Sequence, residues 1–214
     1  MPGIEPTVLG GTHVRLEPLA RMHVPGLLAA VGTELELYRW TFIPQTPADA
    51  SQYVVSALAA QAEGTALPFA TVRAADGVVL GSTRFFDIER WGWPAGHPRA
   101  GHSGPDACEI GYTWLAPGSI RTAANTEAKL LMLAHAFEVW GVYRVCFHTD
   151  ARNERSRAAL TRIGARFEGV LRAYRLSSDL RPRDSARYSI VAAEWPEVKE
   201  RLQARLAGGA AANS

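Results

Sequence analysis

The chain has 214 residues and a mass of 23.2 kDa, with 47% hydrophobic and 21% charged residues. That is enough chain for one domain with a closed core, and it excludes an extended disordered chain, a collagen-like repeat and a disulfide-framed miniprotein. Lysine and arginine outnumber aspartate and glutamate by only 23 to 21, a net charge of +2, so bulk charge points to no nucleic-acid partner.

Residues 1–11 carry Pro2, Gly3, Pro6, Gly10 and Gly11 without apolar periodicity, and are expected to be an extension. They contain no apolar run of the kind a signal peptide needs, and no later stretch approaches the ~20 apolar residues that span a bilayer. Residues 12–17 alternate, with Val14 and Leu16 against His13, Arg15 and Glu17, which predicts a half-buried strand stopped by Pro18. A helix follows over 21–31. Thr46-Pro47 is a cap followed by a first-turn proline and predicts a second helix through Tyr53, Val54, Ala57 and Leu58. Strands are expected over 67–73 and 78–88, turned by Asp76-Gly77.

Residues 89–106 form a long loop with Trp91, Trp93, Pro94, Pro98 and Pro105, a length that marks a functional or disordered segment. The strand expected over 107–115 alternates strictly. Cys108, Ile110, Tyr112 and Trp114 would face one way, and Glu109, Gly111, Thr113 and Leu115 the other. Residues 125–140 are the clearest helix, with Leu130, Leu133, Ala134, Phe137 and Trp140 at helical spacing and Gly141 at its end. A strand over 143–149, a helix capped by Asn153 and ended by Gly164, strands over 167–175 and 183–192, and a helix over 194–206 complete the chain, apart from a disordered tail at 208–214. The fold class is mixed α/β, with one domain over 12–207. Cys108 and Cys146 lie far apart and share no metal-type spacing, which suits a reducing, cytoplasmic compartment.

Several short runs occur in a telling order: Val14-Arg15-Leu16-Glu17-Pro18-Leu19, Glu109-Ile110-Gly111-Tyr112, Asn125 to Leu131, Asn153-Glu154-Arg155-Ser156, Gly164 to Arg172, and Glu194-Trp195-Pro196. In order and spacing the chain resembles the GCN5-related N-acetyltransferase superfamily, closest to its RimJ/RimL-like ribosomal-protein branch. The resemblance implies a mostly antiparallel sheet with splayed middle strands and helices on both faces. It also implies acetyl transfer from acetyl-CoA to an amine, by direct attack. A homodimer is one assembly open to such a chain.

That chemistry must hold a pyrophosphate, take a proton from an ammonium and return one to a thiolate. Backbone N–H groups at a helix start suit the pyrophosphate. Ser119, Arg121, Thr122, Ala123, Ala124 and Asn125 stand before the clearest helix, and Arg121 adds a cation. Ile120, Ala123 and Asn125 occupy positions where the family commonly has Gln/Arg and glycines.

Glu109, on an otherwise apolar strand, is the candidate general base, directly or through a water, with Glu127 as its competitor. Glu127 is equally explained as an acid favouring a helix start. Asn153 is a preferred helix cap and, by resemblance, a contact for the pantetheine arm. Ser156 is likewise the candidate proton donor and cofactor contact, with Tyr174 and Tyr188 as alternatives. His97 and His102 lack metal-ligand spacing, and no metal is expected. His13, His23, His135 and His148 are scattered, with no Ser-His-Asp arrangement, and Cys146 is expected to be inert packing. Trp40, Trp91 and Trp93 either line an acceptor cleft or cap the core. Two other classes remain: a CoA-binding protein without catalysis, and a non-enzymatic α/β interaction module.

Overall fold

The computed structural model describes residues 4–211. Its strands are β1 (Leu9–Gly10), β2 (Val14–Pro18), β3 (Leu67–Arg73), β4 (Val79–Glu89), β5 (Ala107–Leu115), β6 (Arg144–Asp150), β7 (Arg166–Leu176) and β8 (Pro182–Val191). The helices are α1 (Val24–Val31), α2 (Pro47–Ala62), α3 (Ala123–Ala134), α4 (Glu154–Ile163) and α5 (Trp195–Ala211). The strands form one sheet in the order β1-β2-β3-β4-β5-β6-β8-β7, antiparallel throughout except where β5 meets β6.

Local chemistry sets most boundaries. Thr46 and Asp49 cap α2 reciprocally, with Pro47 at its first position. Gly141 and Gly164 end their helices in the left-handed region, at φ 67° and 98°. Helix α3 begins at Ala123, two residues earlier than expected, because the Thr122 hydroxyl accepts the Ala124 N–H at 3.3 Å. Beyond Ala134 the helix widens into a π-turn over His135–Trp140. Trp140 there is fully buried, its ring 4.6 Å from that of Phe85.

One face of the sheet packs Phe85, Cys108, Ile110, Phe147 and Ile190 against Met132 and Leu133 of α3 and Leu202 of α5. The other packs Ala70, Val72 and Trp114 against Leu27 and Val31 of α1 and Val54 and Ala57 of α2. Burial of such side chains, worth about 1.5–3 kcal/mol each, fixes the two layers.

Further features differ from the sequence expectation. Leu9 and Gly10 pair with Leu16 and Arg15, so the sheet takes in part of the expected extension. Helix α5 continues through Ala211, and residues 1–3 and 212–214 of the expected termini lie outside the described residues. The strict alternation of β5 also fails. Gly111 pairs with Arg84 but Trp114 with Ser82, so one extra residue is accommodated, and Tyr112 adopts φ 51°. Cys108 and Ile110 therefore share a face with Leu115, while Trp114 joins the opposite core. Periodicity assumes an unbroken pleat, and the bulge reverses its phase.

The 89–106 loop is ordered by one buried acid. Asp106 accepts the Trp91 N–H at 2.7 Å and the Trp93 indole N–H at 2.9 Å, and it pairs with Arg99 at 3.0 Å. Trp91 stacks on Tyr143, and Trp93 on His97. Trp91 and Trp93 thus cap the closed end of the β5–β6 pair.

Candidate active site

Strands β5 and β6 are joined by only three residue pairs, Ala107–Arg144, Cys108–Val145 and Glu109–Cys146. Beyond them β5 keeps only β4 as a partner and β6 only β8. The facing edges of Ile110–Leu115 and Phe147–Asp150 are left unpaired across a wedge that opens away from Glu109. The Tyr112 bulge lies on one edge and releases further backbone from the ladder.

Glu109 stands at the vertex, only 3% exposed. Its Oε2 lies 2.5 Å from His148 Nδ1 and 3.7 Å from an Arg175 nitrogen, and Arg175 also pairs with Asp87. The His148 Nε2 is buried without a partner among the described residues, and the Tyr174 ring lies 5.0 Å from the imidazole. Sequence reasoning passed over His148. The signal was available in register alone: if β5 and β6 are parallel, alternation from Cys146 places His148 on the Glu109 face.

The open end of the wedge holds the expected cofactor loop. Pro117–Ser119 form a short turn, and the Thr122 hydroxyl donates to the Ser119 carbonyl at 2.8 Å. Arg121 takes φ 66°, so a non-glycine residue carries the left-handed turn that glycines commonly supply. Ala123, Ala124 and Asn125 occupy the first turn of α3, and the Asn125 Oδ1 is buried without a partner among the described residues. On the other arm, the Asn153 Oδ1 accepts the Ser156 N–H at 3.1 Å and caps α4. The Ser156 hydroxyl makes no hydrogen bond among the described residues.

Residues 35–40 bridge the arms. The Tyr38 hydroxyl donates to the Leu115 carbonyl at 2.8 Å, and the Arg155 guanidinium donates to the Leu37 carbonyl at 2.5 Å. Between this bridge and α4 lies a cavity of about 520 Å³, lined by residues that include Trp40, Arg152 and Asn153. Burial alone would raise the Asp150 carboxyl below it, but hydrogen bonds from Arg152 outweigh that and hold it under the usual range.

Two alternatives fall to the geometry. Glu127 accepts the backbone N–H groups of Thr12, His13 and Val14, at 2.6–2.9 Å. It clamps the start of β2 to α3, with both of its oxygens engaged by backbone. The Tyr188 hydroxyl is engaged by Arg157 at 3.3 Å within the core, whereas Tyr174 is the tyrosine brought beside His148. His97 and His102 serve their own loop, and the described residues contain no group of three or more potential metal ligands. No helix among the described residues is long and apolar enough to cross a membrane.

Beneath the bulge lies a group that sequence reasoning did not single out. Lys129 of α3 is 5% exposed, and its Nζ donates to Thr113 at 2.7 Å and to Thr83 at 3.3 Å. It has no acidic partner, and burial pulls its pKa from 10.5 to about 7.

Known proteins share this arrangement. An "Acetyltransferase (GNAT) domain" family model matches residues 13–166. A GCN5-related N-acetyltransferase from Brucella melitensis is 30% identical, with TM-score 0.81 over 96% of this chain and 87% of that one. RimJ of Mycobacterium smegmatis, solved with a CoA disulfide, is 22% identical, with TM-score 0.77 over 96% of this chain and 97% of that one. RimL, a ribosomal L7/L12 α-N-protein acetyltransferase solved with coenzyme A, is 17% identical, with TM-score 0.68 over 86% and 98%. These last two likenesses concern the fold. No curated protein matches the sequence. The matched domain, the fold and the wedge agree, and the chain belongs to the GCN5-related N-acetyltransferase family of acyltransferases.

Proposed function

We propose that this acetyltransferase carries the acetyl group of acetyl-CoA to a primary amine, on a protein N-terminus or a small molecule, by direct attack without a covalent enzyme intermediate. The observation that carries this reading is the three-pair β5–β6 junction with Glu109 at its vertex. The resemblance to RimJ and RimL in fold supports a protein N-terminus as one acceptor class. Two free buried thiols suit a reducing cytoplasm. A binder without catalysis would turn Glu109 out of the wedge, and an unrelated module would have no wedge.

Acetyl-CoA brings the activated acetyl group as a thioester; the chain supplies position and proton transfer. The site fits this cosubstrate. Unpaired backbone edges along β5 and β6 suit the pantetheine amides, with Asn153 at the tip of β6. Ser119, Arg121, Thr122, Ala123, Ala124 and Asn125 suit the pyrophosphate through first-turn N–H groups and one cation. The ammonium proton passes to the Glu109–His148 pair, which one short hydrogen bond joins. Backbone N–H groups between Tyr112 and Leu115 stabilise the oxyanion. Ser156, its hydroxyl uncommitted, acts as a positioned donor to the departing thiolate, with a proton from water replacing the one it gives.

The test is thiol release from acetyl-CoA across amine classes. In Glu109→Gln turnover should fall roughly 10²–10⁴-fold, with the acidic limb of the pH profile flattened and acetyl-CoA affinity retained. Ser156→Ala should fall less, since water can replace a neutral donor. A Glu109→Gln enzyme with near-normal turnover and an unchanged profile would remove the assignment of the base.

A further inference from the structure

Arg84 projects from β4 on the same face as Glu109. It pairs with Gly111, and its neighbour two residues on, Phe86, pairs with Glu109, so the two charged side chains start about 7 Å apart along the strands. Arg84 is 7% exposed. Its guanidinium lies 4.0 Å from the Tyr112 ring centroid and 5.2 Å from that of Tyr53 on α2. No carboxylate meets it, and its Nε is buried without a hydrogen bond among the described residues. A buried cation held only by two aromatic faces is costly, since cation–π contact returns only part of the hydration lost on burial.

The neighbours repeat the pattern. The Tyr53 hydroxyl is buried and unpartnered, and so is the indole N–H of Trp114, whose ring meets Tyr53 at 6.5 Å. Arginine and indole N–H groups can only donate, and a tyrosine hydroxyl can donate. The packed group therefore offers several unused donors and one uncompensated positive charge. It is continuous with the vertex: Phe86 packs edge-on against Tyr112 at 5.0 Å, and Arg175 lies 5.4 Å from the Phe86 ring. Tyr112, 47% exposed, forms its outer wall.

We propose that Arg84, Tyr53 and Trp114 form an anion subsite for the acceptor, so that the preferred amine carries a carboxylate beside its nitrogen or on the following residue. This rests on the acetyl-transfer reading and adds the acceptor's chemistry. The amine is held at the Glu109–His148 pair while its carboxylate neutralises Arg84. Two sources share that chemistry: a free amino acid, and a peptide N-terminus with an acidic second residue.

Matched acceptors separate them. Free amino acids are compared with their amides, and C-terminally amidated peptides bearing Glu at the second position with the same peptides bearing Gln. At least one pair should show a 10- to 100-fold preference in kcat/KM for the anionic member, the range of a charge-assisted hydrogen bond. The preference should vanish in Arg84→Met and persist in part in Arg84→Lys, which retains the charge. The matching N-acetylated products give a readout without turnover. With CoA present, the carboxylate form should raise the Tm of the wild type more than its amide does, and Arg84→Met should lose that difference. Turnover of amines with no preference in either pair overturns the subsite and leaves the acetyltransferase reading standing. A preference that survives Arg84→Met, or equal Tm shifts from product acid and product amide, also overturns it. Absence of turnover with every amine, alongside a carboxylate-specific Tm shift, would instead overturn the acetyl-transfer reading.

Discussion

Replacing Lys129 with methionine should make the protein more stable, and by an amount that depends on pH. The buried ammonium is neutral in the fold above about pH 7, whereas the unfolded chain holds its proton until about 10.5. At about 1.4 kcal/mol per pH unit, the separation corresponds to roughly 4–5 kcal/mol held against folding near neutrality. The folded pKa is depressed for a base, so between 7 and 10.5 the unfolded state binds more protons and wild-type stability rises with pH across that window. Below it both states are protonated and the penalty is constant. Methionine matches the length of the stem and carries no charge, and the Thr83 and Thr113 hydroxyls keep one another as partners at 2.8 Å. Urea unfolding of both proteins from pH 6 to 10 should show Lys129→Met ahead by at least ~2 kcal/mol at pH 7, with the gap closing toward pH 10. A gap that stays flat across those pH values would refute the burial argument. Acetyl transfer should fall in the same variant, because Lys129 tethers Thr113 immediately after the Tyr112 bulge.

Glu127→Ala leaves the N–H groups of Thr12, His13 and Val14 without their acceptor and should cost at least ~2–3 kcal/mol in denaturant unfolding; a neutral change would show that water replaces the clamp. Asn153→Ala should cost about 0.5–2 kcal/mol without ligand and also weaken CoA binding by calorimetry; unchanged affinity would leave it a cap alone. Tyr112→Gly suits the left-handed backbone of the bulge, so fold stability should change by less than ~1 kcal/mol while kcat falls through loss of the aromatic wall; a large stability loss would mean that packing, not the turn, decides this position.

Where local chemistry decides, the sequence was readable. Thr46-Pro47 caps α2, Asp76-Gly77 turns β3 into β4, and Gly141 and Gly164 end helices as expected. The order of strands and helices followed. The misses arise where distant residues decide. Nothing local marks Tyr112 as a left-handed residue; the bulge shows only in its register against β4, with Lys129 of α3 holding the adjoining Thr113. His148 acquires meaning only from the parallel register that sets β6 beside Glu109. Glu127 was legible as a helix-start acid, but its three partners arrive from 113 or more positions away in the chain. The Arg84 group is invisible in one dimension, since Tyr53, Arg84, Tyr112 and Trp114 come from a helix and two strands.

The three-pair seam makes the sheet two half-sheets, β1–β5 and β6–β8, sharing a backing of α3 and α5. On the acetyl-transfer reading, a pantetheine arm laid in the wedge would act as a missing rung between edges that no strand among the described residues joins. Amides of Ile110–Leu115 and Phe147–Asp150 that face the wedge should therefore exchange with solvent faster than those turned to β4 and β8 in the free protein, and slow selectively when CoA is added. On that reading the cosubstrate is a structural element of the sheet while it is bound.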